Sequence, residues 1–200
     1  MTDERGYHHG DLRRAVLDAA LQVIAVAGPA AISLRDLARR AGVSHAAPAH
    51  HFKDKAGLLT AIAIEGYDLL AAALTAPTER HARDGGVGEL GVRELLELGV
   101  GYVRFALEYP AHFEVMFRPD LCHPDDDRLV AARARTNAIL RASVSAAPVR
   151  AGRDVATTAL GAWALAHGFA MLWVTGSMAS VAGEQDPIAL FRTVARSQLG

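Results

Sequence analysis

Residues 33–55 read SLRDLARRAGVSHAAPAHHFKDK. Ser33 is a helix N-cap type, Leu34, Leu37, Ala38 and Ala41 then recur at three and four, and Gly42 is a C-terminal stop. This predicts a short helix followed at once by a turn. Val43 fills the hinge, and Ser44 is a second N-cap type. It opens another short helix that ends near Phe52 and the KDK run. Two short helices joined by a glycine-containing turn form a helix-turn-helix, here over about residues 33–52. Ala38 supplies the small contact where the two axes cross. Pro48 falls at the fourth position of a helix capped by Ser44, so its first turn is expected to be irregular, with Pro48 packed on the floor of the unit.

Working outward, Leu12, Val16, Ala19, Ala20, Val23 and Ala27 lie on one helical stripe that Gly28-Pro29 stops. A long helix follows from about Asp54 past Leu74, carried by Leu58, Leu59, Ile62, Tyr67 and Leu70. RDGGVGELGV, residues 83–92, is the most glycine-rich stretch and reads as a connection. Further helices are expected up to Pro110, from Pro110 through AHFEVMF, from Asp127 onward, over roughly 151–178, and from Pro187 to Gln198. RPDLCHPDDD, residues 118–127, reads as an exposed loop. No stretch reads as a strand, so the fold class is all-α. Residues 10–70 are expected to form an N-terminal three-helix head joined by the long helix to a helical domain over 71–200.

Composition agrees with a folded helical chain. The 200 residues are 51% hydrophobic and 6% aromatic, enough to fill a core. Net charge is −1, which excludes a basic-tail mode of nucleic-acid binding. The charge is uneven, however. Residues 1–60 carry eight Lys or Arg against six Asp or Glu, and five of the nine His, whereas the remainder is acidic. The sign suits a small DNA-facing head on a neutral-to-acidic body.

Cys122 is the single cysteine, so an intrachain disulfide and a four-thiolate metal site are excluded. The N-terminus lacks the apolar core of a signal peptide, and no unbroken apolar run reaches the ~18 residues that span a bilayer. A cytoplasmic protein without a membrane partner is expected. Catalysis and metal binding are not expected. His50 and His51 point to different faces of a helix, and CHPDDD at 122–127 is an acidic loop that solvation explains. No cofactor is implied.

The 33–59 stretch, extended through KAGLL, resembles the DNA-binding head of TetR-type transcriptional regulators. WALAHGFAMLW, with Trp163, His167 and Gly168, and the opening YHHGDLRRAVLDAAL resemble the subgroup of that family named for its Trp, His and Gly. The resemblance implies a homodimeric, ligand-responsive repressor that binds an inverted-repeat operator in double-stranded DNA and dimerises through its last two helices. Carried over residue by residue, it places His45, Ala46 and Ala47 against base edges, with Ser44 opening the reading helix. It places Lys55 and the Ser33 helix terminus on phosphates. Where the family usually has Tyr followed by a basic residue, this chain has Ala49 and His50. That implies fewer contacts per half-site, His50 in the basic position, and more reliance on dimerisation. Alanines can still read thymine methyls, and His45 can hydrogen-bond to guanine. The alternative is a helical ligand-binding dimer whose DNA binding is weakened or lost.

An unidentified small-molecule effector is implied for the body. The residues that suit its lining are Tyr102, Phe105, Phe113, Met116 and Phe117, together with Trp163, His167, Met171 and Trp173. Trp163 and His167, four apart, share a helix face. The helix carrying them is apolar on nearly all sides and therefore needs cover, which a second subunit would supply.

Overall fold

A computed structural model describes residues 9–76, 87–146 and 155–199, and among these residues there is no strand. The helices are α1 (His9–Ala27), α2 (Leu34–Arg40), α3 (Ala47–Phe52), α4 (Lys55–Thr75), α5 (Val87–Glu108), α6 (Pro110–Met116), α7 (Asp127–Ala146), α8 (Val155–Val174), α9 (Ala179–Ala182) and α10 (Pro187–Leu199). They gather into two compact units. One takes residues up to 66 together with 111–130; the other takes 67–110 and 131 onward.

In the first unit α1, α2 and α3 pack on one another. The buried face of α1 is Val16, Leu17, Ala20 and Ile24; Val23 is half-buried and Ala27 exposed, so the face is rotated slightly from the expected stripe. Leu37, Ala38 and Phe52 complete the floor with Leu58, Leu59 and Ile62 of α4. Ala38 is fully buried, as a helix crossing requires. The Ser33 side chain caps α2 by accepting from the Asp36 amide, and Gly42, at φ 66°, takes the left-handed conformation that ends it.

The reading helix starts later than its sequence suggests. Ser44, His45 and Ala46 precede α3, the Ser44 carbonyl accepts from the Ala47 amide at 3.0 Å, and Ala46 is the N-cap. Pro48 therefore sits in the first turn of α3, where no intrahelical partner is lost, and it is buried. The expected irregular first turn is not needed. Val43, read as a buried hinge, is half-buried.

Other differences have equally local causes. Val87 to Val92, assigned to a connection for its glycines, are the start of α5, since isolated glycines lower helix propensity without forbidding it; residues 83–86 lie outside the described residues. The 118–127 stretch is exposed at its acidic tip, but it contains a 3₁₀ turn at Pro119–Leu121 and buries Cys122. The helix expected over 151–178 is shorter: α8 ends at Val174, Gly176 adopts φ 73°, and α9 follows. Residues 151–154 lie outside the described residues.

In the second unit α5 packs on α8 and α10. Leu95 and Leu98 of α5 meet Ala159 of α8, with Leu74, Ile139, Leu140 and Ala162 around them. Glu97 and Arg192 pair between α5 and α10, with one N···O distance of 2.8 Å, and the guanidinium holds the Glu97 carboxyl below the usual range. Among the described residues two helices are long and apolar enough to cross a membrane by length and mean hydropathy, 55–75 and 156–174. Scattered polar residues break the unbroken run sought in the sequence without lowering the average enough. Half of the first span is buried, but only 22% of the second is, and Leu160, Trp163 and Leu172 stand exposed on it.

Gly57 marks the tightest joint. A Cβ there would lie 2.0 Å from the Phe52 carbonyl oxygen, a backbone atom that cannot rotate away. Gly57→Ala is expected to cost about 1–3 kcal/mol of unfolding free energy, measured by urea denaturation; an unchanged midpoint would show that α3 can shift freely against α4.

Candidate functional site

The exposed surface of the turn and α3 is short of polar groups. His45, Ala46, Ala49 and His50 are exposed, Ala47 and His51 are half-buried, and Pro48 and Phe52 point into the floor. This alternation follows from helix geometry: Pro48 and Phe52, four apart, share the buried face and leave 46, 49 and 50 outward. The site residues Ser44, His45 and Ala46 are thus in the turn that enters α3, and Ala47 and His50 are on it. Arg13 of α1 lies 5.4 Å from the Phe52 ring centroid and adds a cation at the edge of the same unit. The exposed Arg35, Arg39 and Arg40 of α2 add more, Arg39 being paired with Asp36 at 3.0 Å.

The joint between α3 and α4 is held by polar contacts that sequence reasoning missed. Lys53 leaves α3 at φ 67°. Asp54 caps α4, its Oδ1 accepting from the Gly57 amide at 2.7 Å and lying 3.0 Å from His123 Nε2. The Gly57 amide, then His123, hold the Asp54 carboxyl below the usual carboxylate range. The His123 amide donates to Thr60 Oγ1 at 2.9 Å, so the loop after α6 is tied to the first turns of α4. Lys55 Nζ, assigned to phosphate, donates to the Ala30 carbonyl at 2.8 Å. Asp three residues before Gly57 is a legible cap pattern. The His123 partnership spans 69 positions and leaves no local signal.

A second missed cluster ties α6 to α1. Arg14 donates to both oxygens of Glu65 at 2.8 and 2.9 Å and also bonds Asp18. His112 Nε2, on a buried side chain, lies 3.4 Å from Glu65 Oε1. Burial outweighs the nearby carboxylate and pushes the His112 imidazole down.

The residues assigned to effector lining fall in both units. In the first, Phe113 and Met116 are buried, and Phe117 meets Phe113 edge to face at 5.2 Å. In the second, Phe105 is buried, Met171 is half-buried, and Trp173 stacks on Phe169 at 5.8 Å. Tyr102, Trp163 and His167 come together as one polar cluster. Tyr102 Oη lies 2.9 Å from His167 Nδ1, and the Trp163 and His167 rings lie 5.7 Å apart between centroids. Burial pushes the Tyr102 phenol well up and the His167 imidazole down, which favours the neutral form of each.

A helix-turn-helix head on a helical body defines the class: a DNA-binding transcription regulator. Residues 16–62 match the family described as bacterial regulatory proteins, tetR family, and residues 95–197 match the tetracyclin repressor-like C-terminal domain. The chain belongs to the TetR family. Among solved structures it is similar to a protein of unknown function from Rhodococcus sp. RHA1, at 31% identity and TM-score 0.78, covering 98% of this chain and 97% of that one. It also shares its fold with the TetR family transcriptional regulator PfmR from Thermus thermophilus, at 21% identity and TM-score 0.68, with 92% and 96% covered. The transcriptional regulator FadR from Bacillus subtilis, solved in complex with stearoyl-CoA, has the same fold at 16% identity and TM-score 0.70, with 94% and 97% covered. No curated protein matches the chain.

The lowered imidazoles set a direction for stability. Both His112 and His167 lie below the usual value in the folded chain, so the unfolded chain takes up protons first as pH falls. Stability should be unaffected above the ordinary imidazole range, fall as pH drops below about 6.5, and level off once the folded imidazoles also protonate. Urea midpoints measured from about pH 7 to about pH 5 check this; a constant or rising midpoint would contradict the neutral assignment.

Proposed function

We propose that the protein is a ligand-responsive transcriptional repressor that binds an inverted-repeat operator as a homodimer in the cytoplasm. The observation that carries this reading is the outward surface His45, Ala46, Ala49 and His50, raised on the buried Pro48 and Phe52. It leaves the backbone close to base edges and two imidazoles as hydrogen-bonding groups. Residues 10–70 bind DNA, and 71–200 bind the effector and dimerise. Segment 111–130 of that body packs with the head.

The homodimer is formed through α8 and α10, which is supported by the apolar surface of α8 that the described residues leave uncovered. The Trp-His-Gly subgroup is supported by the ring contact of Trp163 with His167 and by the bond of His167 to Tyr102, with Gly168 next in the chain. The effector is held in the second unit by Tyr102, Trp163 and His167, with Phe105 and Met171. An effector that prefers the DNA-incompetent dimer weakens the operator by the factor by which the operator weakens it, a coupling of about 1–3 kcal/mol.

Selection of bound duplexes from a random DNA pool tests the reading. Recovery of an inverted repeat supports it, and recovery of nothing by folded dimeric protein favours a body that binds ligand without reading DNA, Ala49 being the difference responsible. On a recovered duplex, Lys55→Ala is expected to weaken binding to all sequences and to flatten the salt dependence by about one phosphate contact. His45→Ala should instead relax preference at one position per half-site; equal, sequence-blind losses from both variants would refute the role given to His45.

A further inference from the structure

The outward face of the helix-turn-helix poses a chemical problem that its geometry answers. No Lys, Arg, Asn or Gln occurs between Ser44 and Phe52, and the exposed positions there are Ser44, His45, Ala46, Ala49 and His50. The side-chain groups that can both reach base edges and carry charge are therefore the two exposed imidazoles. Histidine changes charge in the physiological range, and its hydrogen-bonding character changes with it. A neutral imidazole has one donor and one acceptor, whereas an imidazolium has two donors and no acceptor. Guanine presents two acceptors in the major groove, and phosphates present only acceptors.

We propose that His45 and His50 make operator recognition proton-linked: protonation on binding strengthens attachment and shifts preference toward guanine at the positions they face. This rests on the regulator reading above. The surroundings permit it. The charged or titratable side chains described on the elements packed around α3 are Arg13, Arg14 and Asp18 on α1, the last two paired with each other, Arg35, Asp36, Arg39 and Arg40 on α2, His51 on α3 itself, and Lys53, Asp54 and Lys55 at the start of α4. The carboxylates nearest in sequence are already engaged, Asp36 by Arg39 and Asp54 by the Gly57 amide and His123. The DNA phosphates favour the charged imidazole in the complex, so proton uptake accompanies binding.

The test uses the full chain and a fluorescent inverted-repeat duplex recovered by the selection above. Affinity measured by anisotropy should rise by roughly tenfold or more from pH 8 to pH 6, and the salt slope should steepen by about 0.9 per proton taken up at a phosphate. Calorimetry in buffers of different ionisation enthalpy should report net proton uptake. In H45Q/H50Q the ratio of the two affinities should collapse toward one whatever the absolute affinity, and the single variants H45Q and H50Q carry the same comparison if the double variant binds too weakly. Circular dichroism at both pH values separates unfolding from lost linkage. Equal wild-type affinity at both pH values, or full pH dependence retained in H45Q/H50Q, would overturn the proposal while leaving the regulator reading intact. Absence of binding at every pH would overturn both.

Discussion

The DNA-facing unit depends on one short joint. Between Phe52 and Lys55 the chain must reverse from α3 into α4, and Phe52 is used twice there, its ring buried in the floor and its carbonyl pressed against Gly57. No side chain larger than hydrogen fits at position 57, so α3 cannot move against α4 without losing the floor. The polar contacts of the joint follow from that closeness. Asp54 satisfies an amide at the α4 terminus that would otherwise lack a partner, and Lys55 satisfies the Ala30 carbonyl in the 3₁₀ turn Pro29–Ala31 that follows α1.

The same unit receives contacts from α6 and the loop after it. His123 holds Asp54 and Thr60, and His112 lies beside the Glu65 that Arg14 grips. A buried imidazole and a charged pair at one place are costly unless each group has its partner. Such a cluster has few arrangements of low energy.

The second unit solves a related problem in the opposite way. Tyr102 is placed by α5 among apolar residues, and its hydroxyl must be satisfied there. His167 meets it from α8 at 2.9 Å, with the Trp163 ring beside that imidazole one turn earlier on the helix. The inward side of α8 is thus specified by both packing and polar geometry. Its outward side, with Leu160 and Leu172, has no such cover among the described residues.

The sequence by itself determined the order and type of the helices around 33–52, because caps, glycine stops and three-four spacing are local. Ser33, Gly42 and the Gly28-Pro29 stop act within a few residues of where they stand, and the structure uses each as its chemistry predicts. It was less informative where two local rules compete. Ser44 is a good cap, yet α3 begins at Ala47, which places Pro48 where it costs nothing. The glycines after Val87 lower helix propensity, yet α5 passes through them. Only the tertiary structure decided that Asp54 meets His123 across 69 positions and that Tyr102 meets His167 across 65. Those pairings depend on how helices cross, and a crossing is set by the packing of whole faces, which no short stretch of residues contains.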